Sequence, residues 1–293
     1  MSSQATWAIA LHGGAGVEPG RDYSRAIQHL DELVRRCVLR LEAGATALDV
    51  VEEAVAEMEA SGLYVAGRGS AASTSGHVEV DASIMDGARR RAGAVAAVPG
   101  VVHPIRLARA VMDTTAHVML TGEGALAFAK THGHALVADP ASYYVLPPGV
   151  EEADLVDAAR NHGTVGAVAL DQGGRLAAAT STGGLFGKLA GRVGDTPLIG
   201  AGTWADETVA VSCTGTGEYF ILAGGAQDVA SRMRYLASPV QAAVDGLIGD
   251  VARLGGDGGV IAVTKTGEIA FGCNTPGMKR AAASSRLAPF ASL

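Results

Sequence analysis

The sequence predicts an α/β sandwich. Short apolar runs rich in β-branched residues alternate with amphipathic helical stretches in both halves of the 293-residue chain, the pattern of strands flanked by helical layers. Hydrophobic residues make up 48% and charged residues 18%, enough apolar side chain for a large core. Aromatics are only 4% while glycine numbers 40, so the core is built from small aliphatic side chains joined by tight turns. No segment repeats with a period of about 20–50 residues, which excludes a solenoid.

From the N-terminus, TWAIALHGGAG reads as a buried strand running into a glycine turn. Between Tyr23 and Glu42, Ile27, Leu30, Leu33, Val34, Cys37, Val38 and Leu41 recur at three- and four-residue steps, an amphipathic helix ended by Gly44. A second helix spans Ala47 to Glu59 behind the N-cap Thr46, with Asp49 where a capping box prefers Glu or Gln. Residues 62–87 hold a glycine-rich loop, a turn at Ser75-Gly76 and a strand. AGAVAAV (92–98) is another strand, and HVMLTG a third, set between helices at 103–112 and 122–133. From 133 to 163 the pattern weakens around Pro140, Pro147 and Pro148, a linker with at most one short helix near Glu152–Arg160. Then come the strands TVGAVALD, RLAAATST and TVAVSCTGTG, helices over 218–236 and 239–254, and a hairpin around Lys265-Thr266-Gly267.

A net charge of −7 leaves no basic footprint for nucleic acid and no polybasic membrane patch. Cys37, Cys213 and Cys273 form no C-x-x-C pair and are odd in number, which predicts reduced thiols in a cytoplasmic protein. The opening MSSQATWAIALHGGAG lacks the charged and apolar regions of a signal peptide, and no apolar run reaches the roughly 20 residues of a membrane span. GGLFGKL carries Leu189 where a phosphate loop needs Ser or Thr, and GRGSAAS and GTGEYF break the G-x-G-x-x-G spacing. His132 and His134 are too close for a helical metal pair, and neither H-E-x-x-H nor G-x-S-x-G occurs.

What remains is a set of hydroxyls at strand ends. Thr164 follows Gly163 where a polar stretch gives way to a strand. Thr180, Ser181 and Thr182 end a second strand, and Thr214 and Thr216 end a third. Between them a glycine-rich loop carries Arg192 and Asp195. Strand ends ordinarily carry threonine and turns ordinarily carry glycine. The set nevertheless supplies a nucleophile, hydroxyl and N–H donors, a cation that can grip a carboxylate in a bidentate fork, and an anion that can accept from an ammonium.

GTVGAVALD, AAATSTGG, KLAGRVGDTPLIGAG and VSCTGTGE together resemble the isoaspartyl peptidase/plant-type L-asparaginase family of threonine N-terminal-nucleophile hydrolases. IALHGGAG, VEVDASIMDG (78–87), GGDGGVIAV and NTPGM are similar to the same family, so the resemblance runs in order along nearly the whole chain. It implies a four-layer αββα sandwich, made as a precursor that cuts itself between Gly163 and Thr164. Residues 1–163 become an α subunit whose flexible tail is about 134–163, residues 164–293 become a β subunit, and two such units pair as (αβ)2. Thr164 Oγ attacks the Gly163 carbonyl, the acyl group shifts from nitrogen to oxygen, and water releases it. The freed α-amine, with an ordinary pKa of about 7.7–8.0, then serves as the base for the same hydroxyl.

Carried over by position, Thr164 is the nucleophile and Thr182 hydrogen-bonds around it. Thr214 and Gly215 form the oxyanion hole. Arg192 binds the substrate α-carboxylate, while Asp195 with Gly217 binds its ammonium. Val193, Gly194, Thr214, Gly215 and Thr216 complete the substrate-binding set. The implied substrates are β-aspartyl dipeptides and L-asparagine, with no cofactor required and a structural sodium ion in the Met58–Gly69 loop. Two segments depart from the family: Tyr64-Val65-Ala66-Gly67 stands for Phe-Asn-Ala-Gly, and LFGK (185–188) for a polar MTNK-like segment, beside the expected leaving-group wall. A glycosylasparaginase is the alternative within the family, though that branch has Asp where Gly163 stands. An uncut, non-catalytic binding module is the alternative that Val65 raises.

Overall fold

The computed structural model describes residues 6–70, 72–151, 154 and 162–293. Strand β1 (Ala8–His12) leads into helices α1 (Ser24–Glu42) and α2 (Ala47–Ser61). Strands β2 (Glu79–Asp86) and β3 (Arg91–Pro99), helix α3 (Pro104–Thr114), strand β4 (Met119–Thr121) and helices α4 (Gly122–Thr131) and α5 (Pro140–Tyr143) follow. The second half opens with β5 (His162–Leu170), β6 (Leu176–Leu185), β7 (Thr203–Ala205) and β8 (Val209–Gly215). Helices α6 (Gly217–Leu222), α7 (Gly225–Leu236) and α8 (Val240–Arg253) precede strands β9 (Gly258–Thr264), β10 (Ile269–Cys273), β11 (Arg280–Ser284) and β12 (Leu287–Ser292).

The fold is mixed α/β. Eight strands form one sheet in the order β12-β11-β1-β5-β6-β2-β3-β4, and four form another in the order β10-β9-β8-β7. All pairs are antiparallel except β3 with β4. All five residues of β1 are buried, which explains why the strand reads as a continuous apolar run. Its two faces still differ with period two: Ile9 and Leu11 join a cluster with α1 to α4, while Ala8 and Ala10 join one with β8 and β9. A third cluster packs α6 to α8 on Val209, Val211, Val260 and Ala262. Alanines 8, 10, 178, 205, 210 and 282 line the inter-sheet cluster, which accounts for a core so poor in aromatics.

Several elements differ from the sequence reading. The helix expected over 218–236 is two, α6 and α7, divided at Gly224 with φ of +71°. β5 begins at His162 rather than Thr164, so the strand runs through the Gly163–Thr164 bond, and its register with β6 shifts between His162 and Thr164. β7, β11 and β12 were not expected; β12 carries Pro289 and lies at the sheet edge, where a missing N–H is tolerated. The N-cap at Thr46 holds: its Oγ1 accepts from the Asp49 N–H at 3.1 Å and donates to the Asp49 carboxylate at 2.7 Å.

The described part of the expected tail, 134–151, has only α5 as regular structure. Hydrogen bonds join it to the body: Val137 N–H to Gly100 O at 2.8 Å, Val145 N–H to Arg68 O at 3.0 Å, and Arg21 to Gly149 O at 2.7 Å. The helix expected near Glu152–Arg160 lies outside the described residues, apart from Asp154.

Candidate active site

The β5–β6 ladder sets Thr164 opposite Thr182. Both are nearly buried, at 4% and 3% exposure. Thr164 Oγ1 donates to Thr182 Oγ1 at 3.3 Å, and Thr182 Oγ1 in turn donates to the Gly163 carbonyl at 2.8 Å. The Gly184 N–H donates to Thr182 Oγ1 at 3.0 Å, which fixes its rotamer. One hydroxyl therefore accepts from Thr164 and polarises the carbonyl beside it. The register shift of β5 on β6 falls at this bond.

Two neighbours clamp the Gly163–Thr164 peptide. A Cβ on Gly14 would sit 3.2 Å from Gly163 Cα and 3.3 Å from Thr164 N. A Cβ on Gly163 would sit 2.8 Å from both Cβ and Cγ2 of Val65. Val65 is therefore a steric wall against the glycine, and its carbonyl accepts from the Gly183 N–H at 2.9 Å. The self-cleavage after Gly163 expected from the sequence should slow by about 10–100-fold in Gly163→Ala, because the added methyl displaces the Gly163 carbonyl. Adding Val65→Ala should recover most of the rate. Time courses on denaturing gels check this, and a double variant as slow as Gly163→Ala rejects the steric account.

The backbone of Thr164 is held by a residue to which the sequence reading gave no role. His12 is fully buried at the end of β1, and burial pulls its pKa down to about 3, so the ring is neutral. Nδ1 faces the Thr164 carbonyl at 2.9 Å and must donate, which leaves Nε2 to accept from Ser212 Oγ at 2.9 Å. The chain of buried hydroxyls continues from Ser212 to Thr180 at 2.8 Å, Thr203 at 2.5 Å and Ser83 at 2.7 Å. Ser83 Oγ donates to the Thr196 carbonyl at 2.6 Å, and the linked hydroxyls polarise one another. The signal was a histidine closing an apolar strand in IALHGGAG.

Thr214, at the end of β8, is fully buried, and its Oγ1 accepts from the Ala15 N–H at 3.4 Å. At Gly215 any Cβ would lie 2.3 Å from the Asp257 carbonyl, so the backbone there admits no side chain. Asp195 is 3% exposed and its Oδ2 has no hydrogen-bond partner among the described residues. Burial pushes its carboxyl up to about 7, against the pull of Arg192. Gly217 packs directly on it: a Cβ there would be 2.7 Å from Asp195 N and Oδ1. Arg192 is occupied by Glu218, which takes Nε at 2.8 Å and Nη2 at 2.6 Å. Nη1 has no hydrogen-bond partner among the described residues and lies against Gly194. Glu218 was missed, because only the fold brings it back across the loop. Val193 is partly buried between Arg192 and Gly194, and the Thr216 hydroxyl is committed to Asp257 Oδ1 at 2.9 Å.

In the Met58–Gly69 loop the chain folds back so tightly that a Cβ on Gly67 would lie 2.5 Å from the Glu59 carbonyl oxygen. The Glu59 carboxylate is directed elsewhere, to the Ile105 N–H at 3.0 Å and His103 Nδ1 at 3.3 Å. The main-chain carbonyls of Tyr64, Val65, Ala66, Gly67 and Arg68 each accept a backbone N–H, which leaves their second lone pairs for a hard cation. Among the described residues no cluster of three His, Cys, Asp or Glu side chains could hold a metal ion, and no helix is long and apolar enough to cross a membrane. The three cysteines are free.

Comparison with known proteins adds to this geometry. A family model described as Asparaginase matches residues 5–146 and 144–289. The chain is 45% identical to an isoaspartyl peptidase of Salmonella typhimurium, over 93% of this chain and 94% of the relative. It is 41% identical to a probable isoaspartyl peptidase/L-asparaginase 2 of Arabidopsis thaliana, over 94% and 95%. It is 43% identical to a plant-type L-asparaginase of Pyrobaculum calidifontis, over 93% and 95%.

Proposed function

Because the chain belongs to the asparaginase family, we propose that it hydrolyses β-aspartyl dipeptides and L-asparagine with Thr164, freed by self-cleavage after Gly163, as nucleophile. The observation that carries this reading is the triple contact of Thr164 Oγ1, Thr182 Oγ1 and the Gly163 carbonyl. Thr164 Oγ attacks the Gly163 carbonyl carbon, the peptide bond to Thr164 N breaks, and the resulting ester is hydrolysed. The product amine sits on the same residue as the hydroxyl and accepts its proton in each later turnover.

The substrate's aspartyl end then occupies the loop between β6 and β7. Arg192, braced by Glu218, offers Nη1 to the α-carboxylate, and the unpaired Asp195 Oδ2 accepts from the ammonium. Thr164 Oγ attacks the side-chain carbonyl and the amine departs. Water hydrolyses the β-aspartyl ester. Thr214 Oγ and Gly215 N–H stabilise the oxyanion, each donor of this kind contributing about 3–4 kcal/mol.

The three core clusters support layers in the order helix, sheet, sheet, helix, the αββα sandwich. Leu189, Leu222, Tyr235 and Leu236, each 70–75% exposed, supply apolar surface for the pairing of two αβ units. The main-chain oxygens of the last turn of α2 and of the loop after it would hold sodium, which would stiffen the wall formed by Val65. Free thiols favour a cytoplasmic setting. A denaturing gel of purified protein, followed by assay on β-aspartyl dipeptides, asparagine and a glycosylated asparagine, tests the proposal. Fragments ending at Gly163 and starting at Thr164, active on the first two substrates, are expected. A 29.5 kDa chain that stays whole and inactive overturns it.

A further inference from the structure

Lys279 is a buried cation with no anion beside it among the described residues. It lies between the NTPGM turn and β11, is 7% exposed, and its ammonium has no hydrogen-bond or ion-pair partner among the described residues. It lies over the face of Tyr23, 4.7 Å from nitrogen to ring centroid. The backbone around it is fixed: the Gly13 N–H donates to its carbonyl at 2.7 Å and its own N–H donates to Gly14 O at 3.1 Å. Gly14 is the residue that packs on the Gly163–Thr164 peptide. Burial lowers the ammonium's pKa to about 8, so it keeps most of its charge near neutrality while lacking an anion.

Lys279 also lines a cavity of about 20 Å³, with Tyr23, Tyr64, Val65, Phe186 and Gly163 among its other walls. That volume has room for about one water. Departure of Gly163 after cleavage opens it toward Thr164. Among the described residues its walls include none of Arg192, Asp195, Thr214 or Gly217, so it lies apart from the groups given to the aspartyl end and is left to the residue that departs. An unpaired buried ammonium is costly unless the ligand supplies its partner. A β-aspartyl dipeptide brings such a partner in the carboxylate of its leaving residue. The ammonia leaving asparagine brings none.

We propose that Lys279 receives the carboxylate of the leaving residue of β-aspartyl dipeptides and so sets the enzyme's preference for dipeptides with a free C-terminus. This rests on Thr164 being the nucleophile. The test measures processed enzyme on one β-aspartyl dipeptide as free acid and as C-terminal amide, for wild type, Lys279→Met and Lys279→Arg. Wild type should favour the acid by about tenfold in kcat/KM, mostly through KM, as for a charge-assisted hydrogen bond. Lys279→Met should bring the acid-to-amide ratio close to one, and Lys279→Arg should recover part of it. A wild type indifferent to amidation overturns the inference with no variant needed, and so does an unchanged ratio in Lys279→Met. Should wild type hydrolyse neither dipeptide nor asparagine, the nucleophile assignment fails instead.

Discussion

Thr164→Ala should leave one uncut chain and lower hydrolysis of every substrate by about 10⁴-fold or more, the scale of loss when a nucleophile acting in a unit is removed. Two functions vanish together. The methyl group cannot attack Gly163, so no amine is freed, and Gly163 continues to fill the space a substrate needs. The fold should survive: Thr164 makes one side-chain hydrogen bond, at 3.3 Å, and its loss costs about 1 kcal/mol. The His12 contact goes to the backbone carbonyl and is retained. Thr164→Ser keeps the hydroxyl and should still cut. Gels with mass determination give the cleavage state, and thermal melting confirms folding. Cleavage at the same bond in Thr164→Ala, or hydrolysis above background, refutes the assignment. A wild type that stays whole favours a binding module instead.

The junction at Gly163–Thr164 was legible in the sequence because its signals are local: a glycine, a hydroxyl and the start of an apolar strand. Thr182 and Thr214 could be read for the same reason, each near the end of a strand, and Arg192 and Asp195 because they stand in a glycine-rich loop. His12, Ser212 and Glu218 could not be assigned roles. Their partners are separated by 152, 200 and 26 residues, and it takes the pairing of β1 with β5, the packing of one sheet on the other and the docking of the Arg192 loop on α6 to bring them together. The strand β11 is read poorly because its Ala-rich sequence has little propensity of its own and is held by pairing with β1. The break at Gly224 was hidden because the apolar period continues across it, while the φ of +71° depends on how α7 docks. Val65 was read as a missing hydrogen-bonding group, and the fold instead gives it a steric part against Gly163.

Asp195→Asn should lower kcat/KM by about 10²-fold or more, the usual effect of removing one member of a buried charged pair. The pH profile separates this role from a merely structural one. In the free enzyme burial holds the Asp195 carboxyl at about 7, above its ordinary 3.8, so it is protonated below that pH and ionised above it. Only the ionised form neutralises the substrate ammonium, so binding weakens as pH falls through 7. The Thr164 amine must also lose its proton to act as base, with an ordinary pKa of about 7.7–8.0. Both groups titrate in the same sense, and kcat/KM reports the free enzyme. Log kcat/KM for wild type should therefore fall with a slope approaching two on the acid side, and for Asp195→Asn with a slope of one. Profiles between about pH 5.5 and 9 decide it. A two-proton limb that persists in Asp195→Asn places the second ionisation elsewhere. If that limb persists and KM is also unchanged, the ammonium is bound by other groups, because a buried carboxylate that meets the substrate's charge cannot be neutralised without cost to affinity.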